Sequence, residues 1–420
     1  MPMGFAEGAN RRSSDSCALM TLSARPGSHH SIALLPRGLG CRPTSFKKGI
    51  TKMKFFRASL LAAMLCTVAV HPVVGAQIHI LSVPAGYTTG SIELGVPFAG
   101  SLAPLPSDPT KLYVSVGSYG AQSIALVDTV GASIQIVASG FGSIGGIAVL
   151  SNGDLAITEN ATSETILRAH DLTNDGDFLD PGEITALISP ILADSPFGFT
   201  GAQIALAPAG NAAAIPAGAL VIQTADGETS SELLVVENPE TSPAFRPAGG
   251  AFFSGFQYNG GIDFSNSGHV IMGEGMFDML TFTSSGRIYA LVNTNADAVI
   301  GAGEWNVLVS ETQLAAGLSD LAISKEDDVF TVEGSGTVRT FALPPNLLSG
   351  SATPAVFAQT DSPYLSTVRF DDKTKTFAPG ATAPSARLYL GGYASDWTAA
   401  TNLVWIQPQP TSHIENWAIY

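Results

Sequence analysis

A short phrase of two apolar runs joined by a polar turn recurs six times along this chain of 420 residues. The two most similar copies read GGIAVLSNGDLAITEN at 145–160 and GGIDFSNSGHVIMGEG at 260–275. The weaker copies keep the same order of run, turn and run, and they occupy residues 100–117, 201–226, 318–334 and 366–392. A unit of this kind cannot bury both of its faces alone, so the copies must pack on one another. The repeat therefore restricts the chain to stacked or circular arrays of similar units.

Each unit has the pattern of a small antiparallel sheet. The apolar runs are short, alternate with polar residues and end at Gly, Asn, Asp or Ser, with no long helical period. One equivalent position in successive copies recurs at intervals of 43, 65, 50, 59 and 59 residues. Most copies are followed by two further runs, such as SETILRAHDL and GEITALIS after the second copy. The sequence therefore predicts an all-β fold, a six-bladed β-propeller of four-stranded antiparallel blades.

A closed ring also requires the two ends of the chain to share one blade, because an open ring would leave bare strand edges. Two segments are candidates for completing that blade as its outer or inner strand. They are AQIHILSV at 76–83 and NLVWIQP at 402–408.

The first 76 residues do not belong to the repeats. Residues 53–76 have a basic start, an apolar run and the small residues Val74, Gly75 and Ala76 at the end, which is the pattern of a signal peptide. The apolar run is too short to span a bilayer, and a buried helix is the alternative interpretation. We interpret residues 1–52 as a disordered extension or as sequence ahead of a misassigned start, with an organelle transit segment as the alternative. The propeller is assigned to residues 77–420.

Composition narrows the functional classes. Ten of the 20 Lys and Arg residues but only two of the 35 Asp and Glu residues precede residue 77, which leaves a formal charge of −23 on the remainder. Such a surface repels nucleic acids and anionic lipids. All three cysteines also precede residue 77, so thiol chemistry and disulfides are excluded from the propeller. We expect a secreted protein, extracellular or periplasmic, that is monomeric, does not insert into membranes, and has a small molecule or glycan as its possible partner.

An acidic loop at 171–183, DLTNDGDFLDPGE, has the spacing of calcium ligands in an EF-hand loop, with a glycine at its sixth position. The match departs at position 12, which is Gly182, and the flanking runs are strands. Oxygen ligands of this kind suit Ca²⁺ better than zinc, whereas the alternative is an acidic hairpin turn facing water. The predicted metal ligands are Asp171, Thr173, Asp175, Asp177, Asp180 and Glu183.

Residues 287–310 repeat this hairpin and serve as an internal comparison. Aligning Glu304 with Glu183 without a gap places Val292, Ala296 and Ala298 opposite Asp171, Asp175 and Asp177. The hairpin then forms without those carboxylates. We therefore predict that the first loop binds calcium and the second does not.

The phrase G-I-A-V-x-x-N-G-D-L-x-x-T-E-N, followed by I-x-R, at 146–168 resembles the NHL-repeat and gluconolactonase or strictosidine-synthase-like six-bladed propellers. The acidic loop is similar to the calcium loop of many exported bacterial propellers. The resemblance covers nearly all of 77–420 as a blade pattern, and it implies the fold more strongly than an activity, because this fold carries hydrolases, lyases and binding proteins. In gluconolactonase-like relatives an acidic ring holds a divalent cation.

Three copies place a glutamate at one equivalent position, and a fourth acid stands near the start of an inner strand. These weak catalytic candidates are Glu159, Glu274, Glu333 and Asp320. Carboxylates that converge on a channel could hold a metal or act as acid and base, whereas a structural role has each acid bond backbone in its own blade. The leading interpretation is a secreted calcium-binding propeller that acts as an extracellular binding or surface-associated protein. The alternative is a metal-dependent hydrolase or lyase, and whether the chain is an enzyme stays open.

Overall fold

The structure is a computed structural model, and it describes residues 77–159, 165–188, 203–224, 231–248, 250–278, 283–362, 364–381, 384–393 and 399–410. All of these lie in the second of two units of the chain, Val73–Tyr420. The predicted signal peptide and the extension before it lie outside the described residues. Within the described ranges, no helix has the length and apolar character needed to cross a membrane.

The described chain consists of strands arranged in six antiparallel sheets. The two N-terminal strands, which join the last two sheets, are β1 (Ile80–Ser82) and β2 (Tyr87–Glu93). Blade 1 contains β3 (Phe98–Pro104), β4 (Lys111–Ser118), β5 (Ala121–Asp128) and β6 (Ser133–Phe141). Blade 2 contains β7 (Ile144–Val149), β8 (Leu155–Glu159), β9 (Thr165–Ala169) and β10 (Ile184–Ile188). Blade 3 contains β11 (Gln203–Leu206), β12 (Leu220–Gln223), β13 (Ser231–Glu237), β14 (Ala244–Arg246) and β15 (Phe253–Phe256).

The second half of the ring is built in the same way. Blade 4 contains β16 (Tyr258–Phe264), β17 (Val270–Asp278), β18 (Thr283–Leu291) and β19 (Trp305–Val309). Blade 5 contains β20 (Asp320–Ile323), β21 (Asp328–Val332), β22 (Thr337–Ala342) and β23 (Ala355–Thr360), and blade 6 contains β24 (Leu365–Phe370), β25 (Leu388–Gly392) and β26 (Asn402–Pro408). Blade 5 gains β1 beside β23, and blade 6 gains β2 beside β26.

The first strand of each blade is its inner strand, and each inner strand contacts the inner strand of the next blade. The series β3, β7, β11, β16, β20 and β24 returns to β3, so the ring is closed. The predicted six-bladed β-propeller is therefore confirmed. All inner strands run in the same direction along the channel. We call the side where they begin the start face and the side where they end the end face.

The core lies between the blades. There are six hydrophobic clusters in the described residues, and each joins one blade to its neighbour around the full circle. Strands such as β12, whose four residues are all buried, present apolar side chains to both neighbours. Apolar burial on both faces is the main source of stability in such an arrangement. No blade can therefore keep its packing without the two beside it.

The ends of the chain close the ring in a way that differs from the sequence expectation. The 402–408 segment lies in blade 6 as the third strand, β26, and not as its outer or inner strand. The outer strand is β2, which pairs with β26 along its whole length, from Tyr87 opposite Pro408 to Glu93 opposite Asn402. The 76–83 segment instead supplies β1, which extends blade 5.

Two hydrogen bonds of the Asn402 side chain attach the N-terminal segment to blade 6. Asn402, which is buried, accepts a hydrogen bond from the Ile78 N–H at 2.7 Å and donates one to the Ile78 carbonyl at 3.0 Å. Replacing Asn402 by alanine leaves both backbone groups without these partners, and we expect a loss of about 2 kcal/mol in the free energy of unfolding. Urea denaturation measures this loss, with Thr88→Ala on the exposed outer strand as the near-neutral control. Equal stability of the two variants would show that the hydrogen bonds of Asn402 contribute nothing to the stability of the ring.

Candidate functional site

The acidic loop connects β9 to β10 at the outer edge of blade 2, on the end face. Its one buried apolar residue is Phe178, which is 5% exposed and belongs to the cluster between blades 1 and 2. The Phe178 N–H also donates to the Val137 carbonyl of β6 at 2.7 Å. The loop is therefore anchored to the neighbouring blade, while Asp175 and Asp180 remain exposed.

The loop carboxylates accept hydrogen bonds from the loop backbone. Asp171 takes the N–H of Asn174 on Oδ1 at 2.6 Å and that of Gly176 on Oδ2 at 3.0 Å. Asp177 takes the N–H of Leu179 at 2.9 Å. Among the described residues, no three acidic or histidine side chains are grouped as metal ligands. The donor set is rich in oxygen and suits a hard cation, so calcium binding by this loop stays a prediction.

Glu183 has a different position from the aspartates. It is 1% exposed, and its carboxylate accepts hydrogen bonds from backbone N–H groups on both sides of the loop. Oε1 accepts the N–H of Leu172 at 2.8 Å and that of Thr173 at 3.3 Å, whereas Oε2 accepts the N–H of Asp180 at 3.0 Å. Both oxygens already have partners, so a calcium site in this loop depends mainly on the aspartates and Thr173.

The second hairpin, between β18 and β19, has a glutamate with the same pattern of hydrogen bonds. Glu304 accepts the N–H groups of Thr294 at 2.8 Å and Asn295 at 3.2 Å on Oε1, and that of Gly301 at 2.9 Å on Oε2. Hydrogen bonds from the Thr294 hydroxyl and the Gly301 N–H lower the pKa of Glu304. The glutamate thus serves the hairpin in both copies, with or without neighbouring aspartates.

The structure aligns the two hairpins differently from the gapless alignment of Glu304 with Glu183 used in the sequence analysis. The Ile300 N–H donates to the Phe252 carbonyl in blade 3, just as Phe178 donates into blade 1. This register makes the second loop one residue shorter, with no counterpart of Leu179. The true counterparts of Asp171, Asp175 and Asp177 are then Asn293, Asp297 and Val299. The second loop therefore lacks two of the three carboxylates rather than all of them.

The glutamates at the equivalent repeat position do not converge on the channel. Glu159 accepts the N–H of Gly142, in the link between blades 1 and 2, at 2.7 Å. Glu333, which is 1% exposed, forms an ion pair with Arg339 of its own blade. Each is held beside its own strands.

Glu274 differs from the other two because both of its oxygens accept hydrogen bonds. Its Oε1 accepts the N–H of Gln257 at 2.9 Å, and its Oε2 accepts the hydroxyl of Tyr289 at 2.5 Å. Burial, followed by the adjacent Glu274, raises the pKa of Tyr289 well above its usual range, so this hydroxyl stays protonated as a donor. The arrangement fixes a carboxylate between two blades and offers no free acid to a substrate.

Asp320 is the one acidic candidate that joins inner strands. It is 1% exposed, and its Oδ2 accepts the Thr367 hydroxyl at 2.8 Å, the Val368 N–H at 3.0 Å and Arg369 Nη1 at 2.6 Å. Asp263 has a similar role in the preceding blade, where its Oδ2 accepts the Ile323 N–H at 2.8 Å. Both acids satisfy the N–H groups of the next inner strand, which has no strand partner on that side.

Two features of the channel could not be predicted from the sequence. Gln203, on the inner strand of blade 3, donates to the Ser319 carbonyl at 3.0 Å, although blade 4 lies between them. Its side chain thus links the inner strand of blade 3 to the start of blade 5. At the end face, the inner strands of blades 1, 2, 3 and 4 and the turn after β24 enclose a cavity of 460 Å³. Its residues come from five separate strand ends and the turns that follow them, which share no local pattern.

No protein-family model matches the chain, and no curated protein matches it. Solved structures do match. A luciferin-regenerating enzyme has a TM-score of 0.50 at 12% identity, over 77% of this chain and 95% of that one. The aldose sugar dehydrogenase of Streptomyces coelicolor has a TM-score of 0.49 at 15% identity, over 78% of this chain and 99% of that one. A gluconolactonase of Xanthomonas campestris has a TM-score of 0.48 at 11% identity, over 79% and 94% respectively. At such identities the similarity shows the fold alone.

Proposed function

We propose that this chain is an exported, calcium-stabilised propeller that works by binding a ligand rather than by metal-dependent hydrolysis. One observation carries the proposal, namely that Glu159, Glu274 and Glu333 each accept hydrogen bonds or an ion pair beside their own strands. Carboxylates held in separate blades in this way do not share one metal or act as a pair on one substrate. The charge of the propeller segment and its lack of cysteine fit a role outside the cytoplasm, as does the signal-like segment before it.

An assay for hydrolysis separates the binding role from the alternative. The purified protein is given a panel of lactones and esters with magnesium, calcium, manganese or zinc, and we expect no turnover above the protein-free rate. The triple variant Glu159→Gln/Glu274→Gln/Glu333→Gln serves as the control, because a carboxylate-dependent enzyme would lose its activity there. Metal-dependent turnover by the wild type that vanishes in the triple variant would overturn the proposal.

Calcium should stabilise the protein through the blade 2 loop. Sites in extracellular modules bind with dissociation constants of about 0.1 to 1 mM, so calcium at about 10 mM should add roughly 1.4 to 2.7 kcal/mol to the free energy of unfolding. The melting temperature is then expected to rise by a few degrees, as measured by calorimetry with magnesium as the comparison ion. Asp171→Asn/Asp175→Asn should abolish the rise.

The second hairpin offers the matched control for this experiment. Asp297→Asn removes the one carboxylate that the second loop keeps in the corresponding place, and it should leave the calcium response unchanged. If the double variant in the first loop kept the full response, or if Asp297→Asn lost it, the assignment of calcium to residues 171–180 would be wrong.

A further inference from the structure

The end-face cavity has the size of a small-molecule site, and none of the catalytic candidates considered above lines it, although Arg369 in its wall is paired with Asp320. Ligand pockets commonly enclose about 300 to 1,000 Å³, and this cavity encloses 460 Å³. We propose that it binds a small organic carboxylate, with Arg369 receiving the carboxylate and the ends of the inner strands receiving the hydrocarbon portion. This inference rests on the binding role proposed above and names the ligand class for it.

Aliphatic residues form part of the cavity wall, beside polar ones. They stand at the ends of four inner strands, namely Leu102, Ile147, Val149, Ile204, Leu206 and Ile262. Most of these side chains are packed into the clusters between blades, so the walls are held in place. Transfer of a hydrocarbon chain from water to such a surface is favourable by about 0.8 kcal/mol for each buried CH₂ group.

Arg369 places a guanidinium group in the wall of the cavity, where other residues hold it in position. Its Nη1 donates to Asp320 Oδ2 at 2.6 Å and to the carbonyls of Leu321 at 3.0 Å and Val368 at 2.7 Å. Within the described residues, every recorded hydrogen bond of this guanidinium uses Nη1. The Nε–H and Nη2–H donors lie on one edge of the group and are left for an acceptor from outside. A guanidinium edge matches a carboxylate with two parallel hydrogen bonds.

The remaining charges at the cavity are already balanced, so they do not repel an anion strongly. Lys373 lines the cavity and donates to Asp263 Oδ1 at 2.6 Å and to the Phe264 carbonyl at 3.1 Å. Lys373 follows the inner strand of blade 6 and Asp263 stands in blade 4, so the pair crosses the end face above blade 5. Asp263 thus faces Lys373, and Asp320 faces Arg369. Among the described residues that line the cavity, the one acid is Asp263, and its pairing with Lys373 leaves no free carboxylate for a cationic ligand.

Binding is tested by calorimetric titration of the purified protein with octanoate, octanamide and octylamine. We expect octanoate to bind at one site, octanamide to bind about tenfold or more weakly because it lacks the charge, and octylamine not to bind. Arg369→Lys keeps the ion pair with Asp320 but loses the paired edge, so octanoate should bind about tenfold more weakly. Arg387→Lys, elsewhere in blade 6, is the matched control and should bind as the wild type does.

A second variant leaves Arg369 untouched. Ala209 lines the cavity and is exposed, and Ala209→Phe should obstruct it and weaken octanoate binding, with the melting temperature recorded to confirm folding. The inference is overturned if the wild type does not bind octanoate, if octanamide binds equally well, or if the folded Arg369→Lys and Ala209→Phe proteins bind normally. Such a failure leaves the calcium response intact, whereas metal-dependent turnover would overturn the proposed function without affecting octanoate binding.

Discussion

Asp320→Ala is expected to lower the free energy of unfolding by about 3 to 5 kcal/mol, because it leaves a buried guanidinium without its counter-charge. The Arg369 side chain is only 21% exposed, and the distance from its Nη1 to Asp320 Oδ2 is 2.6 Å. The Val368 N–H and the Thr367 hydroxyl also lose their acceptor. Urea denaturation followed by far-ultraviolet circular dichroism measures the loss. The contact joins the inner strands of blades 5 and 6, so it affects the whole ring.

Two further variants separate charge from shape at this position. Asp320→Asn preserves the side-chain volume and keeps one oxygen acceptor, so its loss should be smaller than that of alanine. Asp320→Ala/Arg369→Leu removes both charges and should be more stable than Asp320→Ala alone, since no unpaired ion remains buried. A double variant less stable than the single one would show that the ion pair is not the source of the effect.

Gly261→Ala should cost at least about 4 kcal/mol, a magnitude confined to a few severe mechanisms. Gly261 has a φ of +102°, and a Cβ there would lie 2.2 Å from the Leu321 N and 2.8 Å from the Asp320 carbonyl carbon. The obstacle is backbone of the next inner strand, which cannot turn aside as a side chain can. Thermal and urea unfolding should both register the loss.

Gly153→Ala is the matched control for this prediction. Gly153 has a φ of +92°, but the position of its Cβ has nothing within 4 Å. Its substitution isolates the conformational cost, about 1 to 2 kcal/mol. If both alanine variants lost the same amount, the contact between blades 4 and 5 would contribute nothing beyond backbone strain.

The repeated phrase was sufficient to predict the fold because each copy carries its own turn and its own alternation. The strand that completes the ring, β2, was not predictable in the same way. Its sequence, YTTGSIE, has one fully buried residue among its seven, and its partner β26 lies at the far end of the chain. The more apolar segment before it was the better candidate by pattern, yet it pairs with blade 5. Which of the two segments completes blade 6 depends on pairing with a strand far away in the sequence, and local sequence patterns do not predict such pairing.

The candidate site was only partly predictable. The acidic loop stood out, but the missing counterpart of Leu179 became visible only through the matching hydrogen bonds of Phe178 and Ile300. The glutamates were found by their spacing, whereas their partners Gly142, Gln257 and Arg339 have no pattern that identifies them. The end-face cavity gave no signal at all, because its lining is assembled from strand ends and turns far apart in sequence.

The pairing of β2 with β26 sets an order of events during biosynthesis. The outer strand of blade 6, β2, is made early and has no partner until β26, the last strand, has left the ribosome. Until then β2 remains a bare edge, open to pairing with other chains, and contacts between such distant segments form slowly. A product cut short before residue 408 would keep that edge permanently, and we expect it to aggregate or to be degraded rather than to persist as a smaller propeller.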